Sequence, residues 1–131
     1  MKYLVDSDWV ADYLGDRADA VALLSKLTPD GIAMSLLTFG EIYEGIYYGR
    51  DPERAETIFL ELLKGVEVLP LTRPIMQNFA RIRGELRKRG QLISDPDLLI
   101  AATARVHDVT LITRNVRHFE RIPGLKLYQQ A

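Results

Sequence analysis

Cysteine is absent from the 131 residues, histidine occurs only twice, and tryptophan once. Without thiols the chain can build neither a disulfide framework nor a thiolate metal site, which fits a reducing compartment and makes the cytoplasm the expected location. Long apolar runs are missing as well. Charged residues interrupt every one well short of the roughly 20 residues that span a bilayer, so no membrane segment is expected. Nor is a secretory leader expected, because Lys2 is followed only by Tyr3, Leu4 and Val5 before Asp6. Excess positive charge is lacking too: the formal net charge is −1, so any attraction for nucleic acid must come from a local surface. Repeats, low-complexity stretches and linkers are not found, and residues 1–131 are expected to form a single domain.

What is present is the balance of a globular protein, with 47% hydrophobic and 27% charged residues. Short apolar runs at 2–5, 32–35, 66–69 and 110–113 predict buried strands, and 125–128 a further edge strand. Between them the apolar spacing turns helical. A helix capped by Ser7 or Asp8 is expected to run to Gly15, followed by others over 17–27, 38–49, 52–64 and about 74–89, the last ended by Gly90. Asp95 and Pro96 open another, whose stretch 98–104 is apolar nearly all round and so is expected to be buried on most sides. Strands alternating with helices predict an α/β fold with a mainly parallel sheet.

Ligand sites in such folds gather at the carboxyl ends of the strands, where loops face solvent over a rigid sheet. Asp6, Ser35 and the run Thr113, Arg114, Asn115 stand at those ends, Glu41 lies on the helix after the second strand, and Asp97 at the start of the buried helix. Carboxylates converging from three chain segments repel one another unless a cation neutralises them, and oxygen-only ligation suits Mg²⁺ or Mn²⁺. Such an ion makes phosphodiester hydrolysis the natural chemistry. Each acid also has a plainer use. Asp95 is expected simply to support the helix N-terminus, Asp97 can serve helix and metal together, and Glu41 taken alone is as readily an exposed helix residue.

Taken together, four segments resemble the PIN-domain nucleases. Tyr3-Leu4-Val5-Asp6-Ser7-Asp8 is similar to that family's first strand and its terminal aspartate. Ser35 to Gly45 follows the pattern Ser-x-x-Thr-x-x-Glu-x-x-x-Gly through Thr38 and Glu41. Asp95-Pro96-Asp97-Leu98-Leu99-Ile100-Ala101-Ala102 resembles its acidic helix start, and Thr113-Arg114-Asn115-Val116-Arg117-His118-Phe119 its closing Thr-x-Asp/Asn-x-x-x-Phe. The resemblance covers essentially the whole chain. It implies a three-layer PIN-like fold, with a central mainly parallel sheet of four to five short strands flanked by helices. It further implies a Mg²⁺- or Mn²⁺-dependent endoribonuclease acting on RNA, homodimers and, in the VapC branch of toxin–antitoxin pairs, a small inhibitory antitoxin. By that resemblance Asp6, Glu41 and Asp97 are the catalytic, metal-holding acids, with Asn115 at the edge of the metal site.

Asn115 departs from the commonest pattern, in which a fourth aspartate stands there, and Asp8 adds a carboxylate where Asn or Ser is frequent. Ser7, Thr38 and Thr113 offer hydroxyls that can orient carboxylates or water, or equally cap and shape turns. Gly45, one turn beyond Glu41, leaves room for a substrate or for closer helix packing.

Substrate contacts are expected from Arg114 and Arg117, with Arg81, Arg83, Arg87, Lys88 and Arg89 forming either a phosphate-binding or merely a solvated face. Trp9, Tyr43 and Tyr47 suit base stacking, the core or a dimer interface. His107 and His118 are read as surface or capping residues outside the acidic set. Two rivals stay open at this point. Asp6 and Asp8 also fit the Asp-x-Asp loop of haloacid-dehalogenase-like phosphatases, and the chain could be a non-catalytic PIN-like module that binds RNA or an antitoxin.

Overall fold

The computed structural model describes residues 1–129. Four short strands, β1 (Tyr3–Val5), β2 (Ile32–Ser35), β3 (Val66–Leu69) and β4 (Thr110–Ile112), form one all-parallel sheet in the order β3-β2-β1-β4. Alternation along each strand sorts the side chains onto two faces. Tyr3, Val5, Ile32, Met34, Val66 and Ile112 go to one core, while Leu4, Ala33, Leu69 and Leu111 go to the other. A sheet covered on both sides favours apolar residues on both faces, which is why these strands read as short, nearly continuous apolar runs; the exposed Glu67 of the edge strand β3 is the charged exception.

Helices α1 (Ser7–Leu14), α2 (Ala18–Leu27), α3 (Leu36–Tyr47) and α4 (Pro52–Leu63) supply Trp9, Leu24, Ile46 and Phe59 to the first core. Helices α5 (Arg73–Lys88), α6 (Asp95–His107) and the short α7 (Val116–Phe119) supply Ile82, Leu98 and Phe119 to the second. The result is the expected three-layer α/β sandwich. Gly90, at φ 66°, turns the chain out of α5 in the left-handed conformation that glycine adopts without strain.

Three expectations need adjustment. The run 125–128 makes only an isolated parallel bridge, Leu111 to Leu127, so it is not a regular fifth strand. The cap of α1 is Asp6 itself, whose Oδ1 accepts from the Ser7 N–H at 2.8 Å, so one residue both ends β1 and starts the helix. α3 begins two residues earlier than the apolar spacing suggests because Ser35 caps it, accepting from Leu37 N–H at 3.1 Å. No helix among the described residues is long and apolar enough to cross a membrane.

Candidate active site

The strand order reverses direction between β1 and β4, and their carboxyl ends open the crevice where parallel sheets place ligands. Asp6 lies there, only 5% exposed. Its Oδ2 accepts from the Thr113 hydroxyl at 2.7 Å, a bond across the crevice, and Thr113 Oγ1 in turn accepts from Asn115 N–H at 3.0 Å. Burial, with the Asp8 charge adding to it, pushes the Asp6 carboxyl up from 3.8 to about 6, even though Thr113 and Ser7 hold it down in part and Asp97 pushes it further.

Glu41 faces the same crevice from α3. Burial is the main cause of its raised pKa, which the Ser7 hydroxyl moderates and the charges of Asp97 and Glu44 increase. Its Oε1 is buried without a hydrogen-bond partner, and so is the hydroxyl of Thr38 three residues earlier on the same helix face. Buried oxygens of this kind are costly unless something outside the chain satisfies them. Asp97 stands at the start of α6, where Ser94 rather than Asp95 caps the helix through the Asp97 N–H at 3.3 Å. Asp95 is drawn instead to Arg83, at 3.0 Å. Asp97 raises the proton affinity of both Asp6 and Glu41, so acids from two other chain segments lie within its electrostatic reach. Among the described residues they are not drawn together into a ready-made cluster of three ligands.

His118 must be moved into this set. Its Nδ1 lies 3.2 Å from Asp97 Oδ2 and 2.7 Å from Asn115 Nδ2, while Asn115 Nδ2 is 3.3 Å from Asp97 Oδ2. The available signal was the spacing Asn115-x-x-His118, which puts both on one side of the turn that opens α7. His107 lies in the last turn of α6, as expected of a helix-end residue. Arg114 is also placed differently from expectation. Its guanidinium lies 3.7 Å over the Trp9 ring and bonds Asp12 at 2.7 Å and Asp19 at 3.1 Å, so it clamps the β4 loop to α1 and α2 rather than standing free for a phosphate. Arg117 is exposed. Trp9 is buried in the core and Tyr43 half-buried against Phe39 and Phe59, whereas Tyr47 is exposed. Of the basic helix, Arg83 and Arg89 are taken up by Asp95 and Glu85.

Both oxygens of Asp8 are engaged, Oδ1 by Trp9 N–H at 2.7 Å and Oδ2 by Arg114 N–H at 2.9 Å. That leaves Asp8 as a brace for the β4 loop, not the free acid–base group a phosphatase would need. The PIN-domain family model matches residues 3–125. The chain belongs to the PIN-domain family. Among curated PIN-domain relatives, ribonuclease VapC1 of Methanocaldococcus jannaschii is 37% identical, the match covering 98% of this chain and 88% of that protein. Ribonuclease VapC2 of Haemophilus influenzae is 30% identical over 96% of each. Among solved structures, the VapBC2 complex of Rickettsia felis bound to a DNA fragment from its promoter superposes with a TM-score of 0.89 at 26% identity, covering 98% of both chains. The family assignment removes the phosphatase reading of Asp6 and Asp8.

Proposed function

We propose that the chain is a Mg²⁺- or Mn²⁺-dependent endoribonuclease and the toxin of a toxin–antitoxin pair. The observation that carries the reading is the buried, partnerless Glu41 Oε1 beside two further carboxylates whose charges oppose one another. An oxygen-only set of this kind fits a hard divalent cation, with Asp6, Glu41 and Asp97 holding it and the Asn115 carboxamide oxygen at its edge. Such an ion, when bound, supplies the charge that neutralises the acids and polarises a phosphodiester for hydrolysis.

The chain's own residues do the positioning. Thr113 and the Ser7 N–H fix the two oxygens of Asp6, and Asn115 steadies Asp97. The Ser7 hydroxyl bonds Glu41, Thr38 stands one helical turn before it on α3, and exposed Arg117, on the helix after β4, is the cation offered to a neighbouring phosphate. The ribonuclease names of the relatives support this reading. It is tested by incubating the purified chain with single-stranded and structured RNA: cleavage is expected with Mn²⁺ or Mg²⁺ and not in EDTA, and no cleavage of either RNA with either ion would overturn it.

Asn115→Asp tests the edge position. An added carboxylate joins Asp6 and Asp97 in repulsion but gains from a bound cation. Metal-free melting temperature should fall and the rise on adding Mn²⁺ should exceed that of the wild type. An identical Mn²⁺ shift in both proteins would place Asn115 outside the site.

The partner is proposed to be a small protein that carries an arginine or lysine into the acidic crevice, since charge-assisted bonds to clustered carboxylates are strong. A groove of 440 Å³ between α1, α3 and α4, lined by Ala11, Leu14, Glu41, Ile46 and Ile58 among others, leads to Glu41 and offers the apolar wall for such a segment. Gly45 forms part of this wall, and a Cβ built there meets nothing within 4 Å. Gly45→Arg should therefore leave the fold intact, with better helix propensity, yet weaken the complex by about tenfold or more, a change of about 1.4 kcal/mol. Titration calorimetry against the small protein encoded beside this chain reads the effect, and unchanged affinity would move the docking site elsewhere.

A further inference from the structure

We infer that Arg114 is a positioning residue of the active site: by clamping the loop after β4 onto α1 and α2 it fixes where Asp6 and Asp97 stand relative to each other, and so sets the affinity for a divalent cation. The inference rests on the cation reading for its ligand and on the contacts of one side chain for the rest.

The loop is a short strap between two acids. Thr113 donates its hydroxyl to Asp6 Oδ2 at 2.7 Å. At the other end Asn115 Nδ2 lies 3.3 Å from Asp97 Oδ2 and 2.7 Å from His118 Nδ1, itself 3.2 Å from the same Asp97 oxygen, so Asn115 meets Asp97 both directly and through His118. Arg114 is the residue between Thr113 and Asn115, and its placement governs both ends. β4 is an edge strand of 3 residues, and past Ile112 the chain leaves its ladder with β1. There the N–H groups of Arg114 and Asn115 are bonded to side chains, Asp8 Oδ2 at 2.9 Å and Thr113 Oγ1 at 3.0 Å. A loop held in this way is only as firm as the side chains that hold it.

Arg114 supplies the anchor. Its Nε donates to Asp12 Oδ2 at 2.7 Å and its Nη2 to Asp19 Oδ2 at 3.1 Å, while the guanidinium lies 3.7 Å over the ring of Trp9, which is buried in the first core. The contacts on α1 fall at Asp8, Trp9 and Asp12, a spacing that shares one side of a helix. Arg17 reaches the same acids, 3.6 Å from Asp12 and 3.0 Å from Asp19, so two arginines alternate with two aspartates. That set is neutral by itself. The Arg114 charge is matched there and neither competes with a cation for Asp6 and Asp97 nor stands free for a phosphate. Lysine carries a single charged point and no planar face, so it cannot hold both acids and the ring in the same way.

In the metal-free protein, hydrogen exchange at the Asn115 N–H should be about tenfold faster in Arg114→Gln than in the wild type, with Leu111 unchanged. Equal protection of Asn115 in both proteins would overturn the clamp. Mn²⁺ binding, read by titration calorimetry, should weaken about tenfold in Arg114→Gln and recover only in part in Arg114→Lys, the scale on which support of a metal ligand acts. A clamp that merely stabilises the fold would lower the melting temperature and leave Mn²⁺ affinity at the wild-type value, which overturns the inference. In RNA cleavage kcat should fall with KM little changed; a raised KM with wild-type kcat and wild-type Mn²⁺ affinity would make Arg114 a phosphate contact instead. Asp12→Asn and Asp19→Asn weaken the clamp from the helix side without altering the loop, and they decide the matter if Arg114→Gln does not fold. Each should weaken Mn²⁺ binding, and wild-type affinity in both would overturn the inference. A wild type that binds no Mn²⁺ would overturn the cation reading and this inference together, whereas wild-type Mn²⁺ binding that ignores Arg114 overturns this inference alone.

Discussion

Asp97→Asn is expected to lower metal-dependent RNA cleavage roughly 10³-fold, the scale for removing one preorganised charge-stabilising group from an active site, and Asp6→Asn and Glu41→Gln should do the same. The three replacements keep shape and remove charge, and the structure gives a reason for each to fold. The Asp97 carboxylate is not the cap of α6, because Ser94 is. Asparagine caps a helix as well as aspartate does, so α1 keeps its start in Asp6→Asn. Glu41 Oε1 has no partner to lose. Circular dichroism should therefore show wild-type helix content in all three proteins while cleavage of single-stranded RNA falls to background. A well-folded Asp97→Asn protein that cut RNA at the wild-type rate would mean that the acids have been assigned the wrong work.

Much of this site could be read from residue order because the fold places chemistry at strand ends. A parallel sheet buried on both faces leaves a plain apolar signature, so the residues that follow each run, Asp6 and Thr113, were identifiable before any geometry. What escaped were pairings between segments distant in sequence. Arg114 looked free for a phosphate because nothing local opposes it; Asp12 and Asp19, about a hundred residues earlier, claim its guanidinium. His118 looked like a surface residue because its partner Asp97 lies on another helix. The cap of α1, expected at Ser7 or Asp8, was misplaced for a local reason: Asp6 ends a strand and begins a helix without any loop between them, so no turn residue marks the boundary. The weak run at 125–128 has strand-like residues but pairs at a single position, which periodicity does not register.

The same buried acid that makes Asp6 useful to a cation should make it a liability without one. Its carboxyl titrates near 3.8 when unfolded and about 6 in the folded chain, chiefly because burial disfavours the charge. The folded state therefore holds this proton more tightly than the unfolded state does, and between those two values stability falls as pH rises. Above about pH 6 the penalty is complete, and for a group this buried it amounts to about 3 kcal/mol. Metal-free wild-type protein should then unfold at lower urea concentration at pH 7.5 than at pH 5. Asp6→Asn carries no ionisation to penalise, although its amide can accept only one of the two bonds that the Asp6 oxygens accept from Ser7 and Thr113; relative to the wild type it should therefore gain roughly 2–3 kcal/mol between pH 4 and pH 7.5. Adding Mn²⁺ should cancel that relative gain: an ion that binds only the folded state stabilises the wild type by mass action, and Asp6→Asn, lacking the ligand, gains little. Urea titrations of both proteins at pH 5 and 7.5, with EDTA or Mn²⁺, read all of these differences. If wild type and Asp6→Asn responded alike to pH in EDTA, the Asp6 carboxylate would not be the strained group the crevice makes it.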